Sequence, residues 1–181
     1  MVRGDIDLSV LVSKTEIDSI VGKLGARIAA DYGPVVDAGD SLVLVPVLNG
    51  AIYFGVDLSR AIQLPLEIEP VKVESYKGDE AVDMNMALDL RRDVGPSDHL
   101  LVVEDIVDTG MTAAMLLDRF KKTEAASVRF CSLLDKPTRR ISPVEVDYIG
   151  ATVPDTFVVG YGLDFNGEYR NLPYVAKGVM S

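Results

Sequence analysis

The sequence is short of the residues that most readily announce a chemistry. It has one cysteine, Cys131, and one histidine, His99. A lone cysteine excludes an internal disulfide and suits a reducing cytosol. Cys131 lies inside the apolar run "VRFCSLL" and reads as a buried structural thiol. Without Cys or His clusters there is no zinc-site pattern, so a metal here would be a hard ion with oxygen ligands. His99 precedes an apolar strand, shows no partner, and reads as a surface residue. No apolar run reaches the ~18–20 residues of a membrane span, and the start, "MVRGDIDLSV", lacks the apolar core of a signal peptide. A cytoplasmic protein without a membrane partner is expected. Positive charge is scarce as well: 18 Lys and Arg stand against 28 Asp and Glu, a formal net charge of -10. That argues against a nucleic-acid partner, because reading a phosphate backbone takes a basic patch. It also means that any anionic substrate needs backbone amides, a few well-placed cations or a metal.

What is present is one domain's worth of alternating segments, 181 residues without repeats, low-complexity tracts or linkers. Ser13-x-x-Glu16 is a capping box, and Ile17, Ile20, Val21, Leu24 and Ile28 follow at helical spacing, with Gly33-Pro34 as the expected stop. Ser41–Leu48 reads as a buried strand, Asn49-Gly50 as a turn, and "AIYFGVDLSRAI" as a helix. Leu66–Tyr76 alternates like a strand, blemished by Pro70. Residues 77 to about 98 are polar and acidic, long for a simple connection, and expected to form a mobile loop. "HLLVVED" is a strand, Ala113 to about Thr123 a helix, and "SVRFCSLLD" a strand. "VDYIGATV" and "FVVGYGLDF" are further apolar runs. The alternation predicts an α/β fold with a mainly parallel central sheet flanked by helices. Ligands of such sheets bind beyond the carboxyl ends of the strands. Leu48-Asn49-Gly50, Ser75-Tyr76-Lys77, Glu104–Thr112 and Asp135-Lys136 all fall there.

The run "VVEDIVDTGMT" carries two chemistries. Thr109-Gly110-Met111-Thr112, between a strand and a helix, offers inward backbone amides, two hydroxyls and a helix start, which suit a phosphate monoester. It lacks the spacing of a Walker loop. Glu104 and Asp105, at the end of a buried strand, are costly unless matched by hydroxyl donors, cations or a metal. A phosphorylated sugar explains both halves: carboxylates hold the hydroxyls and amides hold the phosphate. A solvated acidic loop before an ordinary capped helix is the plainer alternative.

"VVEDIVDTGMT" resembles the phosphoribosyl-pyrophosphate signature of the type I phosphoribosyltransferases. "LNGAIYFGVDLSRAI", "VESYKGDE", "LLDKPTRR" and "PDTFVVGYGLDFNGEYRNLPYV", in that order, narrow the resemblance to the 6-oxopurine, or hypoxanthine-guanine, branch. It spans about Leu42 to Val175. The resemblance implies a single domain over residues 1–181, with a hood built from the N- and C-terminal segments. It implies transfer of a 5-phosphoribosyl group from phosphoribosyl pyrophosphate to hypoxanthine or guanine, with xanthine a third candidate. The products would be IMP or GMP and pyrophosphate, in purine salvage. It implies Mg²⁺ and a homodimer or homotetramer.

By the same resemblance, Glu104 and Asp105 contact the ribose, and Asp108, Thr109, Gly110, Met111 and Thr112 hold the 5′-phosphate. Asp108 also lies near the purine N7 as the candidate proton acceptor. Lys136 reaches the 6-oxo group, and an ammonium there disfavours a 6-amino base. Phe157 stacks on the purine, Val158 reads its edge through backbone groups, and Asp164 completes the purine set. Asp164, Glu104 and Asp105 are the metal contacts. Leu48, Asn49, Gly50, Ser75, Tyr76 and Arg170 serve pyrophosphate, the first three in a loop where relatives often hold a cis peptide. Two departures stand out. Relatives commonly carry Lys or Arg at Asn49, and the hood loop after Tyr76, "KGDEAVDMNMALDL", is acidic where theirs is rich in small residues. A regulator binding nucleotide and RNA, or a transferase for another base, are the alternatives. The net charge weighs against the first, and Lys136 with "FVVGYGLDF" against the second.

Overall fold

The runs "SLVLVPVL", "HLLVVEDIV" and "SVRFCSLLD" are apolar on both faces because their strands are covered on both sides. In the computed structural model, which describes residues 6–73, 90 and 92–180, they form β2 (Ser41–Leu48), β5 (Asp98–Val107) and β6 (Ser127–Asp135). The parallel sheet runs β3 (Glu67–Ile68), β2, β5, β6, β7 (Tyr148–Thr152), and β4 (Val71–Lys72) pairs with the far end of β2. β3 and β4 are the expected Leu66–Tyr76 strand, interrupted at Pro70, which has no N–H for the ladder. Ser75 and Tyr76 lie outside the described residues, as do 77–89 and 91 of the expected mobile loop. Arg92 is tied down, with its guanidinium on both oxygens of buried Asp98 at 2.7 and 2.9 Å.

Alternate residues of each strand feed two cores. On one face Leu42, Leu44, Leu101 and Val103 pack against α1 (Lys14–Asp37) and α2 (Ile52–Ala61), through Ile17, Leu24, Ile28, Phe54 and Leu58. On the other, Val43, Val45, Leu100, Val102 and Phe130 pack against α3 (Met111–Phe120), through Leu116, Leu117 and Phe120. Cys131 is fully buried, as expected. A second sheet, order β1 (Ile6–Val12), β9 (Val175–Met180), β8 (Val158–Val159), is antiparallel and joins the two ends of the described chain.

Two sequence expectations need correcting. α1 does not stop at Gly33-Pro34. Pro34 sits within its last turns, where one lost backbone bond is tolerated, and the helix ends three residues on, at Asp37. There Asp40 N–H donates to Val35 and Gly39 N–H to Val36, a Schellman pair. The capping box at the other end is complete: Glu16 accepts from the Ser13 amide at 2.8 Å, and Ser13 Oγ from Glu16 N–H at 3.3 Å. His99 is not a free surface residue. It lies in β5, mostly covered, with Nδ1 2.7 Å from Ser127 Oγ, Nε2 3.2 Å from Asp40, and its ring edge-on to Tyr32. "FVVGYGLDF" gives only the short β8 and then coils through Gly160, Tyr161 and Gly162, all at positive φ.

Candidate functional site

All strands of the main sheet point one way, so the ends of β2, β5, β6 and β7 deliver their loops to one edge. β5 delivers the phosphate-type turn. Asp108-Thr109-Gly110 follows it directly, and α3 starts at Met111. Gly110 has φ 82°, and a Cβ there would come within 2.5 Å of the Ser142 carbonyl oxygen, so no other residue fits. Gly110 gives α3 no side-chain cap, Met111 N–H reaches Thr109 Oγ1 only at a long 3.5 Å, and a helix start of this kind suits an anion. Glu104, Asp108, Thr109, Gly110 and Thr112 line a hollow of about 80 Å³ at that point. Met111 turns its side chain outward, 44% exposed, so only its backbone can serve the turn.

The segment after β6 braces this turn from behind. Lys136 N–H donates to Val107 O, Ile141 and Ser142 N–H both donate to Thr109 O, and Arg140 donates to Asp108 O at 3.1 Å. Arg140 also pairs closely with buried Asp135. Of these, Arg140, Ile141 and Ser142 were missed by the sequence reading. The run "LLDKPTRR" offered the signal, two arginines within reach of the acidic turn, but the partners lie some 30 positions away.

Glu104 and Asp105 sit where β5 is still hydrogen-bonded to β6. Glu104 is buried, and Asp105 accepts from Ile106 N–H at 3.0 Å. Among the described residues neither forms an ion pair with Lys or Arg. Burial, with Asp105 close by and only partial relief from Arg140, pushes the Glu104 carboxyl up to about 8. Burial likewise pushes Asp105 up to about 6. A buried and a half-buried carboxyl, with no ion-pair partner among the described residues, are an oxygen donor set suited to a hard divalent ion or to sugar hydroxyls. Among the described residues no three Asp, Glu, His or Cys gather into a cage that would hold a metal alone. Gly50 backs directly onto Asp105, and a Cβ there would collide with the carboxylate. The preceding Leu48-Asn49 peptide is cis, as in the loop of the resemblance.

A second hollow, about 220 Å³, opens beside the first. Asp105, Ile106, Asp108, Lys136, Phe157, Val158, Leu163 and Asp164 line it. Lys136 is buried, and Nζ donates to Thr156 O at 2.7 Å. Phe157 is 44% exposed and edge-on to Phe165 at 5.6 Å, an aromatic face left uncovered rather than a core residue. Asp108 lies 2.9 Å from Arg139 Nε. Asp164 pairs with Arg170 at 2.6 Å and accepts from Gly167 N–H at 2.8 Å, while Arg170 donates to Gly162 O. Tyr161, Asn166 and Tyr169 hold positive φ in this same coil, a clustering typical of functional loops. Of the expected residues, Asn49 is exposed at the edge of the site, with no side-chain partner among the described residues. A larger hollow, about 320 Å³, opens between α3 and residues 143–147, and none of the expected residues lines it.

Residues 13–166 match the family described as "Phosphoribosyl transferase domain". The chain is 44% identical over 177 residues to the hypoxanthine-guanine phosphoribosyltransferase of Streptococcus pneumoniae, covering 97% of this chain and 94% of that one. It is 38% identical to the hypoxanthine phosphoribosyltransferase of Salmonella typhimurium, covering 96% of each. Among solved structures, the hypoxanthine-guanine phosphoribosyltransferase of Bacillus anthracis superposes with a TM-score of 0.85 at 33% identity, covering 97% of this chain and all of that one.

Proposed function

The chain belongs to the phosphoribosyltransferase family, in its hypoxanthine(-guanine) branch, and from that membership we propose a specific reaction and a role for each part of the site. The protein transfers the 5-phosphoribosyl group of phosphoribosyl pyrophosphate to a ring nitrogen of hypoxanthine or guanine, releasing pyrophosphate, in purine salvage. The observation that carries this reading is the adjacency of the two hollows. One is shaped by a phosphate-type turn, and the other presents a buried ammonium, an open aromatic face and a carboxylate. Asp108 lines both.

In this reading the Thr109–Thr112 amides and hydroxyls hold the 5′-phosphate. Glu104 and Asp105 accept from the ribose hydroxyls, which gives their burial a purpose. Phe157 stacks on the base, Val158 reads its edge through its backbone, and Lys136 donates to the 6-oxo group. A 6-amino group there would set donor against donor. Asp108 receives the ring proton as the bond to the base forms. Leu48, Asn49, Gly50 and Arg170 receive the departing pyrophosphate, whose planar-fork partner is Arg170. Ser75 and Tyr76 belong to the hood that excludes water from the cationic ribose. Asp105, Glu104 and Asp164 would hold Mg²⁺, which when bound neutralises part of the diphosphate charge that this acidic chain otherwise opposes. The protein works in the cytosol. It assembles as a homodimer or homotetramer, for which the apolar exposed face of α2, Ile52, Tyr53 and Val56, is a suitable surface.

The test is to incubate the protein with phosphoribosyl pyrophosphate, Mg²⁺ and each of hypoxanthine, guanine, xanthine, adenine and uracil. Nucleotide is expected from the first two and none from the last two. No product from any 6-oxopurine would overturn the assignment.

A further inference from the structure

Arg139 has no role in the reaction as assigned above, yet its side chain joins two walls of the base hollow. It ends the single 3₁₀ turn Pro137–Arg139 that follows Lys136. Its Nε lies 2.9 Å from Oδ1 of Asp108, and its Nη1 lies 3.3 Å from Oδ1 of Asp155. The neighbouring Arg140 does something different, since it holds the Asp108 backbone carbonyl and Asp135. One arginine therefore fixes the backbone of the turn and the other takes hold of its carboxylate.

Asp155 is the other anchor. It stands in the tight turn in which Thr156 N–H donates to Pro154 O, and Thr156 O in turn accepts from Lys136 Nζ at 2.7 Å. Phe157 follows at once. Through one planar guanidinium, Asp108 on one wall is tied to the segment that bears Phe157 and steers Lys136 on the other. Resting on the reading of Asp108 as proton acceptor, we propose that Arg139 is a positioning residue: it fixes the Asp108 carboxylate and yokes it to the base-stacking segment.

The physical reason is the soft torsion of an aspartate. Its carboxylate rotates in a broad, two-fold well, while a proton acceptor must meet its donor within a few tenths of an ångström. Oδ1 is buried without a hydrogen bond among the described residues and has the charge of Arg139 beside it, Nε at 2.9 Å, an ionic contact that leaves Oδ2 for the base. Arg139 and Asp108 remain 47% and 39% exposed, so the pair adds little to folding. Its worth is in geometry, and a lysine could reach one carboxylate but not fork to both.

The test is steady-state kinetics of R139Q, D155N and R139K with hypoxanthine and phosphoribosyl pyrophosphate, alongside thermal unfolding. R139Q should lower kcat/KM for the base about tenfold, roughly 1.4 kcal/mol of transition-state stabilisation lost with the ionic contact. KM for phosphoribosyl pyrophosphate should stay within about twofold. D155N, which leaves Arg139 on Asp108, should raise KM for the base about threefold with kcat kept, and it reports even if R139Q fails to fold. R139K should recover part of the loss. In a D108N background R139Q should add nothing further, because the group it positions is gone. Base kinetics of R139Q and D155N unchanged from an active wild type would overturn the role, as would losses that multiply in R139Q/D108N. A wild type that makes no nucleotide from any 6-oxopurine would overturn the parent reading and this role with it.

Discussion

Around the base hollow Asp108, Lys136 and Asp164 each have a partner within the chain: Arg139, the Thr156 carbonyl and Arg170. One strand turn away, Glu104 and Asp105 have no ion-pair partner among the described residues, and burial pushes both carboxyls upward. The matched half is already arranged before substrate arrives. The unmatched half is held in place by β5 and by Gly50 behind it, and its charges are balanced only by what binds. Preorganised polar groups cost little reorganisation during reaction, whereas unpaired buried charges are a standing penalty that a ligand removes. In the proposed reaction the first half would take the base, and the second would take the ribose and, with Asp164, the metal.

The largest effect should come from breaking the matched half at its centre. Asp108→Asn keeps the shape and removes the proton acceptor, so kcat should fall about 10²–10⁴-fold, with donor affinity nearly unchanged. Equal losses in both would reduce Asp108 to a positioning group. Lys136→Ala should raise KM for hypoxanthine about tenfold or more, as a hydrogen bond to a charged group is lost. It should leave KM for phosphoribosyl pyrophosphate intact, and a loss of donor binding instead would put Lys136 in the wrong half.

The unmatched half predicts a pH dependence of stability. Glu104 and Asp105 bind protons more tightly folded than unfolded. Their contribution is therefore fully present below their unfolded values of 4.5 and 3.8, and it is lost as pH rises through about 6 for Asp105 and about 8 for Glu104. The metal-free protein should lose Tm between about pH 5 and pH 8. Glu104→Gln should flatten that decline and unfold higher at pH 8, by roughly 2–4 °C per kcal/mol recovered, while losing activity. Parallel Tm–pH curves for wild type and variant would show that Glu104 is not the group responsible.

How much of this was legible depended on how local each signal was. The buried strands, the capping box of α1 and the turn at Gly110 declare themselves within a few residues, and the structure has them where the sequence put them. The sequence misjudged what depends on distant partners. Pro34 looked like a helix stop because Gly39, which closes the Schellman pair, is the later and weaker mark. His99 looked free because Ser127 and Asp40 are 28 and 59 positions away. The β1–β9 pairing joins opposite ends of the described chain, beyond any periodicity argument, and was expected only through the resemblance, which put the hood in the N- and C-terminal segments. The site divides in the same way. The phosphate turn was readable from its own residues and Lys136 was marked by its strand-end position, whereas Phe157, Asp164 and Arg170 became candidates only through resemblance. Arg139 stood in the run "LLDKPTRR", which carried part of the resemblance but gave this arginine no role.

The smallest effect concerns Asn49, the departure from relatives at the pyrophosphate loop. Its neighbour Gly50 touches Asp105, so the loop is fixed to the unmatched half, and its exposed side chain adds no charge there. Asn49→Lys adds one cation at the rim of a site that must accept a diphosphate. The added charge sits in solvent-like surroundings, where a pair a few ångströms apart gains only on the order of 1 kcal/mol. KM for phosphoribosyl pyrophosphate should fall a few-fold at low ionic strength. Most of that gain should vanish at about 0.5 M salt, where the screening length is only a few ångströms, and KM for the base should not move. A gain that survives high salt would mean that the lysine makes a direct, water-excluded contact with the diphosphate. No gain at any salt would mean that backbone donors already saturate the pyrophosphate position, and that the unmatched half needs its metal and nothing more.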